Sequence, residues 1–156
     1  MQKRIRIYRV TLDTNIFVRS LITPNGINAK VVDFWRQDKY ILVLSKEIVE
    51  EIIEVLLRPE LINCYPYTEA DVFSLVGVIS RKAIIIAPQI SFDYCRDSED
   101  NKFITCAIVG RVQYLVSGDN DLIDDESLKK TLREYGIQIL EVVSFIREVK
   151  NLALRA

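Results

Sequence analysis

The sequence predicts a three-layer α/β/α sandwich built on a mostly parallel sheet, and three observations carry that prediction. Apolar runs of four to seven residues alternate with longer stretches of helical periodicity along the whole chain. Several runs, such as "AIIIA" and "YILVLS", are apolar without alternation, the mark of strands covered on both faces. Four prolines and five glycines punctuate 156 residues without a linker, repeat or low-complexity stretch, so a single domain over 1–156 is expected.

The elements follow in order. "RIYRVTL" (6–12) reads as a buried strand ending at Asp13. "NIFVRSLI" is a short helix closed by the turn signal Pro24-Asn25-Gly26, and "INAKVVDFW" has helical periodicity with Trp35 on its apolar face. "YILVLS" (40–45) is a strand whose Ser45 is placed to cap a helix over 46–59, which Pro59 ends. Thr68-x-x-Asp71 is a capping-box start for "TEADVFSLVGVISRKA". "AIIIA" (83–87) is a strand, "DNKFITCAIVG" a helix ending at Gly110, and "QYLVS" (113–117) a strand. "ESLKKTLREYG" is a helix closed by Gly136, "IQIL" (137–140) the last strand, and "VSFIREVKNL" a terminal helix.

Composition narrows the chemistry. There is no histidine, which removes Ser-His-Asp and Cys-His catalysis and the usual catalytic zinc sites. Cys64, Cys95 and Cys106 are odd in number and lack CxxC spacing, so reduced thiols in a cytoplasmic protein are expected. Neither a P-loop nor a GxGxxG is present. No apolar run approaches the roughly 20 residues of a membrane span, and the basic N-terminus lacks the pattern of a signal peptide. Lys and Arg number 21 against 22 Asp and Glu, so net charge alone does not mark a nucleic-acid binder.

The carboxylates then stand out by position. Asp13 follows the first strand, Asp119 follows "YLVSG", and Asp97 and Asp100 lie between "AIIIA" and the next helix. Three strands thus bring acids to the edge where open α/β sheets bind ligands. On the helix after "YILVLS", Ile48, Val49, Ile52, Ile53 and Leu56 form the apolar face, and Glu47 and Glu54 fall on the solvated side. Glu50 and Glu51 lie at its two borders, and geometry alone does not choose between them. Each acid singly has a plain structural role as helix cap or turn former. Together they would repel by roughly 1–4 kcal/mol per close pair, which a cation relieves. An all-oxygen cluster suits Mg²⁺ or Mn²⁺, which can activate water and stabilise a phosphodiester transition state.

The segments "VTLDTNIFVRSLI", "LVLSKEIVEEIIEVLLRP" and "RDSEDNKFITCAIVGRVQYLVSGDNDL" resemble the successive motifs of PIN-domain proteins. The likeness runs from about residue 7 to 146 and is greatest to a bacterial and archaeal branch of toxin components of toxin–antitoxin systems. It implies a Rossmann-like fold and a Mg²⁺- or Mn²⁺-dependent ribonuclease using one or two ions. By resemblance the core acids are Asp13, Glu51, Asp100 and Asp119, with Glu50 as the fallback to Glu51. Asn15 is expected to steady Asp13 by hydrogen bonding, with Ser117, Asp97 and Asp121 supporting the site. Arg19, Arg58 and Lys102 are candidates for holding RNA phosphates. An antitoxin and a second copy of the chain are the implied protein partners. "PELINCYPYTEAD" makes the middle of the chain longer than in compact toxins of this type.

Two other carboxylate-rich α/β families fit less well. A haloacid-dehalogenase-like phosphatase needs a second Asp where Asn15 stands. A response-regulator receiver domain gives no reason for "SGDND" and wants a lysine after a later strand. The main rival is a PIN fold acting as a catalytically silent RNA-binding or assembly module, which loss of a core acid would mark.

Overall fold

The computed structural model describes residues 7–155. Five strands, β1 (Arg9–Leu12), β2 (Ile41–Ser45), β3 (Ile84–Ile86), β4 (Tyr114–Val116) and β5 (Gln138–Leu140), form one parallel sheet in the order β3-β2-β1-β4-β5. Consecutive residues of a strand point to opposite faces. Val10, Thr11 and Leu12 in β1, and Leu42, Val43 and Leu44 in β2, are all fully buried, so both faces of the central sheet are covered. The α/β sandwich expected from the apolar runs is the observed architecture.

Nine α-helices connect and flank the strands among the described residues: α1 (Thr14–Ile22), α2 (Ile27–Arg36), α3 (Lys46–Leu56), α4 (Pro59–Ile62), α5 (Glu69–Lys82), α6 (Asn101–Val109), α7 (Asn120–Ile123), α8 (Glu126–Glu134) and α9 (Val142–Arg155). Helix α6 lies across β1, β2 and β4, while α1 packs on α2 and α3. One continuous core joins them, with Phe17, Trp35 and Phe145 fully buried. Trp35 is therefore core, as its position on an apolar helix face implies.

Side chains cap the helices where the sequence indicates. Ser45 accepts from Ile48 N at 3.3 Å, and Thr68 and Asp71 complete a capping box on α5. Four expectations change. The first strand starts at Arg9, and Arg6, where it was expected to begin, lies outside the described residues. The helix from Lys46 ends at Leu56, not Pro59, because proline restricts Arg58 to an extended conformation (φ −61°, ψ 131°). Pro59 instead opens α4, where its missing N–H is harmless. The turn chemistry of "GDND" closes into the short helix α7. Finally, β3 is an edge strand, with Ile84 and Ile85 exposed.

The chain runs outward from β1 through β2 to β3, then returns to place β4 on the other side of β1. Strand order reverses between β1 and β4, and a crevice opens beyond the carboxyl ends of strands at such a point. The ends of β1 and β4 are in register there, Leu12 beside Val116.

Candidate active site

Asp13 leaves β1 and caps α1. Its backbone N–H donates to Val116 O at 3.1 Å, tying the ends of β1 and β4 together. The carboxylate is buried. One oxygen accepts from Ile16 N at 3.1 Å, and the other from Gly118 N at 3.1 Å and from the Ser117 hydroxyl. Burial pushes the Asp13 pKa up, against the lowering effect of the bonds from Ser117, Gly118, Ile16 and the Asn15 backbone. Asn15 bears on Asp13 through its backbone N–H, beside the Ser117 hydroxyl and the amides of Gly118 and Ile16. Asn15, at the second position of α1, is exposed at the mouth of the crevice.

Glu51 reaches the crevice from α3 and is half-buried. Thr14 Oγ1 donates to its Oε2 at 2.5 Å, and Lys102 Nζ donates to its Oε1 at 2.9 Å. Glu50 is exposed and lines a neighbouring cleft with Ser45 and Pro88. Packing thus places Glu51 in the crevice with Asp13, and Glu50 in the neighbouring cleft.

Asp100 closes a 3₁₀ turn over Ser98–Asp100 that feeds α6, and its side chain makes no capping bond. Asp97 caps that turn, accepting from Glu99 N at 2.9 Å. Asp100 is thereby left free to face the crevice. Burial, and then the charges of Asp119, Asp97, Asp121 and Asp13, push its carboxyl up to about 6. Asn101 fastens the preceding loop, accepting from Tyr94 N and Cys95 N at 3.2 and 2.9 Å and donating to Asp93 at 2.9 Å.

Asp119 caps α7, accepting from Asp121 N at 2.9 Å, while its own N–H donates to Ser117 Oγ at 3.0 Å. Ser117 is fully buried and bridges Asp13 to the Asp119 backbone.

Asp13, Glu51, Asp100 and Asp119, from four separate segments, line a single cleft of about 220 Å³ with Thr14, Asn15, Phe103 and Arg58. A second cleft of about 360 Å³ shares Asp13, Asn15 and Asp119 and adds Arg19 and Asp121. Arg58 pairs with the exposed Glu54 at 3.2 Å on the rim. Lys102, a candidate for RNA phosphates, lines the neighbouring cleft of about 760 Å³ and donates from there to Glu51. Thr14 escaped sequence reasoning, although it stands between Asp13 and Asn15 at the first turn of a helix, where its hydroxyl can reach a neighbouring element.

The donor set is all carboxylate, and the mutual repulsion raising the Asp100 pKa is what a cation would relieve. The residues suit a hard divalent ion chemically. As they stand, no three acidic or thiol side chains among the described residues converge closely enough to hold one.

The PIN domain family model matches residues 9–121, a span that contains all four cleft carboxylates. The chain belongs to the PIN-domain family. It is also 33% identical over 145 residues to an uncharacterized protein of Methanocaldococcus jannaschii, covering 92% of each chain. PIN domains are nucleases in general and typically use divalent metal ions. A nuclease PIN domain acts on nucleic acid. Among the described residues no helix is long and apolar enough to cross a membrane.

Proposed function

We propose that this PIN domain is a Mg²⁺- or Mn²⁺-dependent endoribonuclease that hydrolyses RNA phosphodiester bonds and serves as the toxin of a toxin–antitoxin pair. The observation that carries the reading is that four carboxylates from four segments line one cleft at the switch point of a PIN-family sheet. Asp13, Glu51, Asp100 and Asp119 would hold the metal, directly or through water. A bound divalent ion supplies activation of water and stabilisation of the charge developing on the phosphoryl group.

The protein's own contribution is to fix the donors. Ser117 and Gly118 orient Asp13, Thr14 orients Glu51, and Asp97 satisfies the turn so that Asp100 is not consumed by capping. Arg58 and Arg19 border the two clefts that meet at Asp13 and Asp119, placing a cation on either side for RNA phosphates. An RNA strand crossing from one cleft to the other would present its backbone to the carboxylates. The exposed apolar edge of β3 is where a second copy or an antitoxin strand could pair.

Incubation of the purified protein with RNA tests the reading: cleavage is expected with Mg²⁺ or Mn²⁺ and is lost with chelator. The toxin role has its own test. Expression alone should arrest growth, and healthy growth under strong expression of active protein contradicts it. One observation favours the catalytically silent module: Glu51 is already engaged by Lys102. Absence of metal-dependent cleavage would decide for it.

A further inference from the structure

Lys102 sits in the first turn of α6 with its side chain only 9% exposed, unusual for a lysine. Its Nζ donates to Glu51 Oε1 at 2.9 Å and lies 3.7 Å from the exposed Glu99. Thr14 holds the other oxygen of Glu51, so that carboxylate has an ammonium on one side and a hydroxyl on the other. An ammonium taken out of water is stable only if paired. Burial works against the charge of Lys102, but the bond it donates to Glu51 and the charges of Glu51, Glu47 and Glu99 hold it above the usual lysine range. The ammonium therefore neutralises one of the four carboxylates of the smaller cleft without itself lining that cleft.

Lysine is a point charge on a flexible stem and gives up one seat for another readily. The lysine itself lines a neighbouring cleft of about 760 Å³ whose wall carries Glu47, Glu50 and Asp93, and these offer it other partners. We propose that Lys102 is the built-in counter-ion of Glu51, neutralising it in the metal-free protein and yielding it to an arriving divalent cation by withdrawing toward this larger cleft. The exchange keeps Glu51 paired throughout, so the apoprotein does not carry a half-buried bare carboxylate. The inference rests on the metal-dependent reading of the cleft.

Two measurements test it. In the wild-type protein, the rate at which an amine-acylating reagent modifies Lys102, followed by mass spectrometry, should rise several-fold on saturation with Mg²⁺. An unchanged rate overturns the proposal and needs no variant. In Mn²⁺ titrations, Lys102→Met should bind about tenfold more tightly, since a competing charge a few ångströms away is gone. Lys102→Arg, which keeps the charge, should stay near wild type. Equal or weaker Mn²⁺ binding by Lys102→Met overturns the proposal. Failure of the folded wild type to bind either ion overturns both this inference and the metal-dependent reading. Binding without a change at Lys102 overturns this inference alone.

Discussion

At the scale of single residues, the neighbouring glutamates Glu50 and Glu51 show how burial turns a common side chain into a site. Both border the apolar face of α3, yet Glu51 is half-buried on Thr14 and Lys102 while Glu50 faces the adjoining cleft. Glu51→Gln should lower the rate of RNA cleavage at least about 100-fold, on the scale of removing one electrostatic element of a site. Glu50→Gln should change it by less than about threefold, a surface-charge effect; similar losses in both would remove the distinction, and steady-state assays decide it. Asp13, Asp100 and Asp119 were legible as acids at strand ends because chain order alone brings them to the ligand-binding edge. The supports around them were foreshadowed by resemblance alone, at Asn15, Ser117, Asp97 and Asp121. Ser117 reaches Asp13 from a residue 104 positions away, and no periodicity foretells such a contact. For the same reason the pairing of Lys102 with Glu51 was not legible, since its partner lies 51 positions back in the chain.

Elements were legible where local chemistry decides them. Ser45 and the Thr68–Asp71 box start their helices as written, and Gly136 closes α8 in the left-handed conformation (φ 77°) that glycine adopts freely. Gly110 ends α6 for a different reason. Its φ is −75°, and it is Arg111 that turns left-handed at φ 52°. A Cβ at Gly110 would lie 2.7 Å from Cys106 O and 2.7 Å from Val43 Cγ1, so glycine is needed for the close approach of α6 to β2. Gly110→Ala should therefore destabilise the fold by about 1–3 kcal/mol in urea titration. Gly118→Ala, with nothing within 4 Å of the added carbon, should fall within about 0.5 kcal/mol of wild type. Equal stability of the two variants would show that α6 can shift away from β2. Short elements resisted sequence reading. α4 and α7 have four residues each, too few to show a period, and Pro59 reads equally as the end of one helix or the start of another.

At the scale of the molecule, the sheet order places Asp13 and Asp119 on either side of the switch point, and the middle of α3 and the turn entering α6 bring Glu51 and Asp100 to the same cleft. Unbroken apolar strands made the parallel, two-sided sheet legible; the exposure of β3 was not, because an apolar edge strand and a central one read alike. The gathered charge has a thermodynamic consequence. Burial, and then the neighbouring carboxylates, push the Asp100 carboxyl up from 3.8 to about 6, so folded protein binds its proton more tightly than unfolded chain does. Its contribution is thus favourable in acid and is lost as pH rises from about 4 through about 6. A bound cation opposes that loss. Mn²⁺ at about 100 times its dissociation constant should raise Tm by about 5–10 °C at pH 7.5, and by less at pH 5, in calorimetry. An equal or larger rise at pH 5 would contradict carboxylate ligation. The central claim is tested most directly by the rate of RNA cleavage in Mg²⁺ or Mn²⁺ by wild type and by Asp100→Asn of equal thermal stability. The prediction is cleavage by wild type that chelator abolishes, and none above background by Asp100→Asn; an inactive wild type, or an Asp100→Asn protein that cleaves as fast, would contradict it.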